Sequence, residues 1–199
     1  TGTGYDTLAA AYIEREFIKA KLKPFKGDGL QRFSVNVSVE SGKANRLAIN
    51  NIKLVSGSDF TPLAMTADTS LNAGIAFCGY GFMAANDSMQ WNDYKGIDLK
   101  GKWVLLLRGY PESNASAAAY STLSSDRMKV MSARENGAAG VLLVSGEEWD
   151  SADNLDKPSR SEASAGIPVL QIKRSFADTI LKASGKSLKE LEKNANTNL

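Results

Sequence analysis

The chain has 199 residues, enough for one ordinary domain or two small ones, and 43% of them are hydrophobic, which supports a sizeable core and sets disorder aside. Its 24 basic and 22 acidic side chains leave a net charge of +2, so nothing calls for nucleic acid or an anionic membrane as partner, and no apolar run reaches the ~20 residues of a bilayer crossing. Histidine is absent and cysteine occurs once, at Cys78, which excludes serine–histidine or cysteine–histidine catalysis, a His-containing or all-thiolate zinc site, and an internal disulfide.

The chain starts at Thr1 without a basic segment leading into an apolar one, so any signal peptide is expected to have been removed already. Residues Tyr5 to Lys21 read as a helix: Ala9, Ile13, Phe17 and Ala20 share a stripe at helical spacing, opposite Glu14, Arg15, Glu16 and Lys19. Pro24 and the turn from Lys26 to Gly29 stop it. Phe33, Val35, Val37 and Val39 alternate with polar residues and predict a strand with one wet face. A turn at Ser41-Gly42-Lys43-Ala44-Asn45 and a return strand from Arg46 to Val55 would complete a hairpin. One helix and one hairpin bury little by themselves. The first 55 residues are therefore expected to lean on something else, leaving Ile13 and Phe17, or the hairpin's apolar face, exposed.

Beyond the polar link Ser56-Gly57-Ser58-Asp59 the pattern changes. Ile75–Cys78, Val104–Leu107, Val141–Val144 and Val169–Ile172 are short apolar runs that read as strands covered on both faces. Between Val104–Leu107 and Val141–Val144 lies a helix over Arg127–Asn136, with an N-cap at Ser125-Asp126 and Gly137 past its end. Pro168 sits at a strand start, where a missing donor does little harm. Ser175 can cap a helix from Phe176 to Ser184, stopped by Gly185, and Ser187-Leu188-Lys189-Glu190 has the spacing of a capping box. Two long connections, Tyr110–Ser124 and Gly146–Gly166, are either functional or loose surface loops.

Catalytic and metal-binding motifs are scarce. Glu147, Glu148, Asp150, Asp153 and Asp156 cluster in the second long loop, but their spacing fits no EF-hand and reads as a solvated acidic loop. Gly79-Tyr80-Gly81 lacks the dinucleotide fingerprint and suits a bend where a strand ends. Asp93 and Asp98 are expected to accept backbone N–H groups in their own turn. Cys78, beside Ile75, Ala76 and Phe77, reads as a buried thiol. Asn36-Val37-Ser38, Asn86-Asp87-Ser88 and Asn114-Ala115-Ser116 match the glycosylation triplet. The candidate contact residues are Trp91, Tyr110 and Trp149, aromatics in loops, and Arg108, which ends a strand and can pair with either a carboxylate or a ligand.

Several blocks occurring in order resemble the protease-associated (PA) domain found in secreted zinc-dependent aminopeptidases: Gly79-Tyr80-Gly81, the run from Asp93 to Lys102, Arg108-Gly109, Ala133 to Val141, and Ile167-Pro168-Val169. The resemblance covers about residues 73 to 191, and Thr1 to Pro24 with the Phe33 strand resemble the start of such a peptidase. It implies an α+β, swivelling β/β/α domain with small β-sheets and a few short helices, preceded by an N-terminal helix and hairpin. Residues 1–55 would be a remnant of the peptidase domain and 56–199 the PA domain with a C-terminal helical tail. It further implies a non-catalytic lid, substrate-selecting or docking role beside a cleft formed elsewhere. Zinc would be held by a separate peptidase domain of the same polypeptide, the substrate would be a peptide or protein, and the location secreted, periplasmic or at the cell surface. No catalytic or metal ligand carries over to this chain, which reads as the N-terminal piece of a larger enzyme. The competing reading is a stand-alone peptide- or protein-binding module. A phosphocarrier, also built on swivelling β/β/α domains, fails for want of histidine.

Overall fold

The computed structural model describes residues 3–24, 27–34, 39–86, 89–111, 120, 122–157 and 162–197. Its elements run α1 (Gly4–Lys19), β1 (Leu47–Ile49), β2 (Ile52–Leu54), β3 (Phe60–Pro62), β4 (Ile75–Phe77), β5 (Met83–Asn86), β6 (Met89–Asn92), β7 (Trp103–Leu107), α2 (Asp126–Glu135), β8 (Gly140–Val144), β9 (Val169–Ile172), α3 (Arg174–Leu181), a 3-10 turn (Lys182–Ser184) and α4 (Leu188–Thr197). A five-stranded sheet in the order β3-β9-β8-β7-β4 is flanked by two separate hairpins, β1-β2 and β5-β6. Strands β4, β7, β8 and β9 are parallel, and β3 closes one edge antiparallel to β9. The α+β architecture with small sheets and a few helices is the one expected.

The apolar runs are continuous because the sheet is covered on both sides. In β7, Trp103, Leu105 and Leu107 face one core with Phe60, Leu142, Val144 and Ile172, closed by Ala177 and Leu181 of α3 and Leu188 of α4. Val104 and Leu106 face the other, with Val141, Leu143 and Val169 beneath Val130 and Ala133 of α2. Cys78 is buried in this second layer.

Helix ends follow local chemistry. Ser125 Oγ accepts the Met128 amide at the start of α2, and Ser187 and Glu190 exchange bonds in a reciprocal box at α4. Ser175 does not cap α3. That helix begins two residues earlier than expected, at Arg174, and the Asp153 carboxylate, brought in from the long loop, accepts the Arg174 amide at 3.1 Å.

The first hairpin lies elsewhere than expected. The segment Arg46–Val55 is not a return strand but a complete hairpin, turning at Asn50-Asn51 with φ of 49° and 65°. Two consecutive left-handed residues make the tight turn that matches strand twist, and Asn tolerates that conformation. Phe33, Ser34, Val39 and Glu40 are irregular, and residues 35–38 of the expected strand lie outside the described residues. Strands β3, β5 and β6 were not anticipated.

The two halves of the N-terminal segment differ in burial. Ile49 and Leu54 of the hairpin enter the core, whereas α1 buries no residue and leaves Ile13 at 50% and Phe17 at 55% exposure. Truncating Leu106 to Ala is expected to cost about 2–5 kcal/mol, and Ile13 to Ala to stay within about 0.5 kcal/mol, in urea denaturation. Equal losses would mean that α1 is packed as firmly as the sheet.

Candidate functional site

Every side chain singled out as a contact candidate lies where β7 leaves the sheet. The strand ends at Leu107, and Gly109, at φ 73°, turns the chain with the Trp149 indole laid directly on its Cα. Any side chain at 109 would overlap that ring. Tyr110 follows, meeting Trp149 edge-on with ring centroids 5.2 Å apart. From Tyr110 an aromatic array runs inward: Tyr120 stacks on it at 5.8 Å, Phe82 stacks on Tyr120 at 5.8 Å, and Tyr80 stacks on Phe82 at 5.6 Å. Trp91 stands edge-on to Phe82 and Tyr120. Trp91, Tyr110 and Trp149 therefore belong to one array. Its inner members are buried, and Trp149, 42% exposed, forms the outer end.

The two cations at this corner are engaged. Arg108 Nε donates to Asp126 at 3.0 Å, and its Nη2 reaches the Asp156 carboxylate at 2.6 Å. Burial opposes its charge, but the two carboxylates prevail and hold its pKa above the ordinary value. Of the two roles open to Arg108, the structure shows the carboxylate pairing: it ties the strand end to α2 and the acidic loop.

Lys129 was not foreseen. It is fully buried, donates to Leu107 O at 2.7 Å and Gly109 O at 2.6 Å, and lies 5.0 Å and 4.8 Å from the ring centres of Tyr80 and Phe82. A signal existed, since it sits in the apolar stripe with Val130 and Ala133. Burial pulls its pKa down to about 7, against the attraction of Asp126 and Asp93.

Asp93 departs from its expected role. Its carboxylate reaches back eleven residues to accept the Phe82 amide at 2.9 Å, and also the Trp91 indole N–H at 2.7 Å. Burial raises its pKa, against those two bonds and the charge of Lys129. The Gly79-Tyr80-Gly81 bend makes room for this, because a side chain at Gly79 would lie 3.0 Å from the Asp93 carboxylate. Asp98 behaves as expected, accepting the Lys100 amide at 3.1 Å within its own turn. Burial, with Asp93 nearby, pushes the Cys78 thiol up to about 12, so it is inert as a nucleophile at neutral pH.

The acidic loop uses its carboxylates internally. Asp150 accepts the Ala152 and Asn154 amides, Asp153 the Arg174 amide, Glu147 the Lys189 ammonium, Glu148 the Asn196 amide group, and Asp156 pairs with Arg108. Among the described residues no three His, Cys, Asp or Glu side chains converge on one point. With no histidine in the sequence, this chain does not fit a di-zinc centre. Among the described residues no helix is long and apolar enough to cross a membrane. Residues 112–119 and 121 of the first long loop, 158–161 of the second, the triplets at 36–38 and 114–116, and residues 87–88 of the remaining triplet lie outside the described residues.

Folded-state depression of the Lys129 pKa gives stability a definite pH slope. Between about 7 and the ordinary lysine value the unfolded chain holds a proton that the folded chain lacks. Stability should therefore rise with pH there by up to about 1.4 kcal/mol per unit. Urea titrations at pH 7.5, 8.5 and 9.5 should show that slope in the wild type, reduced by about one proton in Lys129→Met. Parallel slopes for the two proteins would refute it.

Comparison with known proteins follows the same geometry. Residues 60–180 match the PA domain family. An aminopeptidase from Aneurinibacillus sp. strain AM-1 has a similar structure, at 19% sequence identity and a TM-score of 0.52. The match covers 92% of this chain but 36% of that one, so the chain spans little more than a third of that protein's length. No curated protein sequence matches the chain.

Proposed function

The chain belongs to the PA domain family, and from that premise we propose that it is the non-catalytic accessory part of a zinc-dependent aminopeptidase, acting as lid, substrate-selecting surface or docking surface beside a cleft formed by a separate domain. The observation that carries this reading is α1. It presents Tyr5, Leu8, Tyr12, Ile13, Phe17 and Ile18 to solvent around most of its circumference and buries nothing, an apolar surface that suits a partner domain. The structural neighbour lends support: it is an aminopeptidase, and its likeness takes in nearly all of this chain while leaving most of its own length over.

In this reading residues 1–55 go with the peptidase body and 56–199 are the PA domain with its helical tail. The exposed α1 supports that division, whereas Ile49 and Leu54 of the β1-β2 hairpin pack into the PA core and argue for a boundary ahead of the hairpin. Zinc belongs to the peptidase domain and supplies the hydrolytic chemistry there; the residues here bind and orient. Trp149 and Tyr110 are the proposed contacts for a peptide or protein substrate, with Trp91 buttressing them from within and Arg108 fixing the strand end. The location is proposed as secreted, periplasmic or cell-surface.

A second reading, a stand-alone peptide-binding module, is favoured by the exposed indole of Trp149 on its rigid seat. Hydrolysis of leucine p-nitroanilide separates the two. Under the first reading the full reading frame hydrolyses it in a zinc-dependent manner and residues 1–199 alone do not. Trp149→Ala in the full-length protein should raise KM for long peptides roughly 5- to 30-fold and leave the anilide unchanged. Cleavage by residues 1–199 alone, abolished by one substitution within them, overturns the accessory role.

A further inference from the structure

Trp149 sits three residues into a tight turn, Gly146 to Asp150, closed by the Asp150 amide donating to Gly146 O at 3.1 Å. The turn is gripped from two sides. On its carbonyl side the Arg174 guanidinium of α3 donates to Gly146 O at 3.2 Å, to Asp150 O at 2.5 Å and to Ser151 O at 3.0 Å. On its amide side the Glu192 carboxylate of α4, only 4% exposed, accepts the Glu147 amide at 3.0 Å and lies against Gly146 so closely that no side chain fits there. The same face of α4 contributes Asn196, which accepts from Tyr80 Oη at 2.7 Å and donates to the Glu148 carboxylate at 2.5 Å.

We propose that Glu192 is a positioning residue for the aromatic face: α4 acts as a proton-responsive latch that fixes the 146–150 turn and thereby the seat of Trp149. The two grips differ in kind. Arginine keeps its charge at any accessible pH, so the α3 side is constant. The α4 side is a carboxylate in a crowded place. Glu147 and Glu148 face it from the loop, Lys189 sits one turn earlier on α4 with its ammonium on Glu147, and Arg174 lies beyond the Gly146 carbonyl. Burial is the largest influence on Glu192 and raises its pKa. The Glu147 and Glu148 amides lower it, and the two neighbouring carboxylates raise it again.

The direction follows. A carboxyl group with a raised folded-state pKa binds its proton more readily in the docked helix than in water. The latch therefore tightens as pH falls through that value and loosens as pH rises. Above that value the turn is held by an ionised carboxylate that also repels Glu147 and Glu148. Trp149 is therefore expected to be most firmly seated below that value. The consequence for binding rests on the proposed contact role of Trp149, whereas the latch itself can be tested without any partner.

The test uses the chain labelled with 5-fluorotryptophan and 15N, with the Trp149 fluorine signal assigned through Trp149→Phe. The Glu147 amide proton, bonded to the Glu192 carboxylate, should titrate with a midpoint above the ordinary glutamate value of 4.5, and the Trp149 fluorine should follow with the same midpoint. In Glu192→Gln both titrations should vanish, while the Trp103 fluorine, inside the sheet, reports that the fold is intact. A Trp149 signal that does not share the Glu147 midpoint in the wild type overturns the proposal without recourse to the variant. So does a Glu192→Gln protein that titrates as before.

Discussion

The structure depends on what happens to the chain at the end of β7. That strand is buried on both faces, so it cannot bend gradually toward solvent; it must stop and leave the sheet at one point. The carbonyls freed there, Leu107 O and Gly109 O, lie in the interior and need donors, and Lys129 supplies both from α2. A buried ammonium is costly unless it is bonded and compensated. Its compensation is the ring faces of Tyr80 and Phe82 and the charges of Asp93 and Asp126. The aromatic array can be read as the environment this one cation requires, and its outer end, Tyr110 and Trp149, as the part that reaches solvent.

The same corner explains why the loops after β7 and β8 are long yet well anchored where they are described. Arg108 joins the strand end to α2 and to the loop after β8 through Asp126 and Asp156, so the two loops share one support. Gln171 of β9 adds to this, accepting the Asp156 amide and donating to Asn154 O. The acidic residues between 147 and 156 resemble a metal loop in composition. In the structure, however, each carboxylate is turned toward a main-chain amide, an asparagine amide group or a cation. Composition alone could not reveal that, because apart from those of Asp150 the partners come from α3, α4 and the residue after β7.

Much of this architecture was legible in the sequence. The four parallel strands announced themselves as short apolar runs, and the caps at Ser125 and Ser187 came from local chemistry that tertiary packing left undisturbed. What escaped was whatever depended on distant partners or on very short elements. Strand β3 is three residues including Pro62, tolerated at the edge of the sheet. The Asn50-Asn51 turn was missed because the alternating residues before it suggested a longer strand. Asp93 was assigned to its own turn because sequence shows neighbours, whereas its bonds reach Phe82 and the Trp91 indole. Among the candidates, Tyr110 and Trp149 lie in loops as read, Trp91 stands on β6 instead, and the union of the three through Tyr120 and Phe82 could not be seen. The family resemblance, read over residues 73 to 191, overlaps a match that starts earlier, at 60, and ends earlier, at 180.

The two ends of the chain then acquire different meanings. At the start, α1 offers apolar side chains to solvent and makes no demand on the sheet. At the finish, α4 buries Leu188, Glu192 and Asn196 and reaches the aromatic array through Tyr80. A helix of the first kind can join or leave a neighbouring body without disturbing the core. A helix of the second kind cannot shift without disturbing the turn that carries Trp149. Any partner that docks against α1 therefore has no direct line to the aromatic face, whereas a change in the charge or seating of α4 acts on it directly. On the proposed reading, that asymmetry separates the helix open to a partner domain from the helix that holds the turn of Trp149.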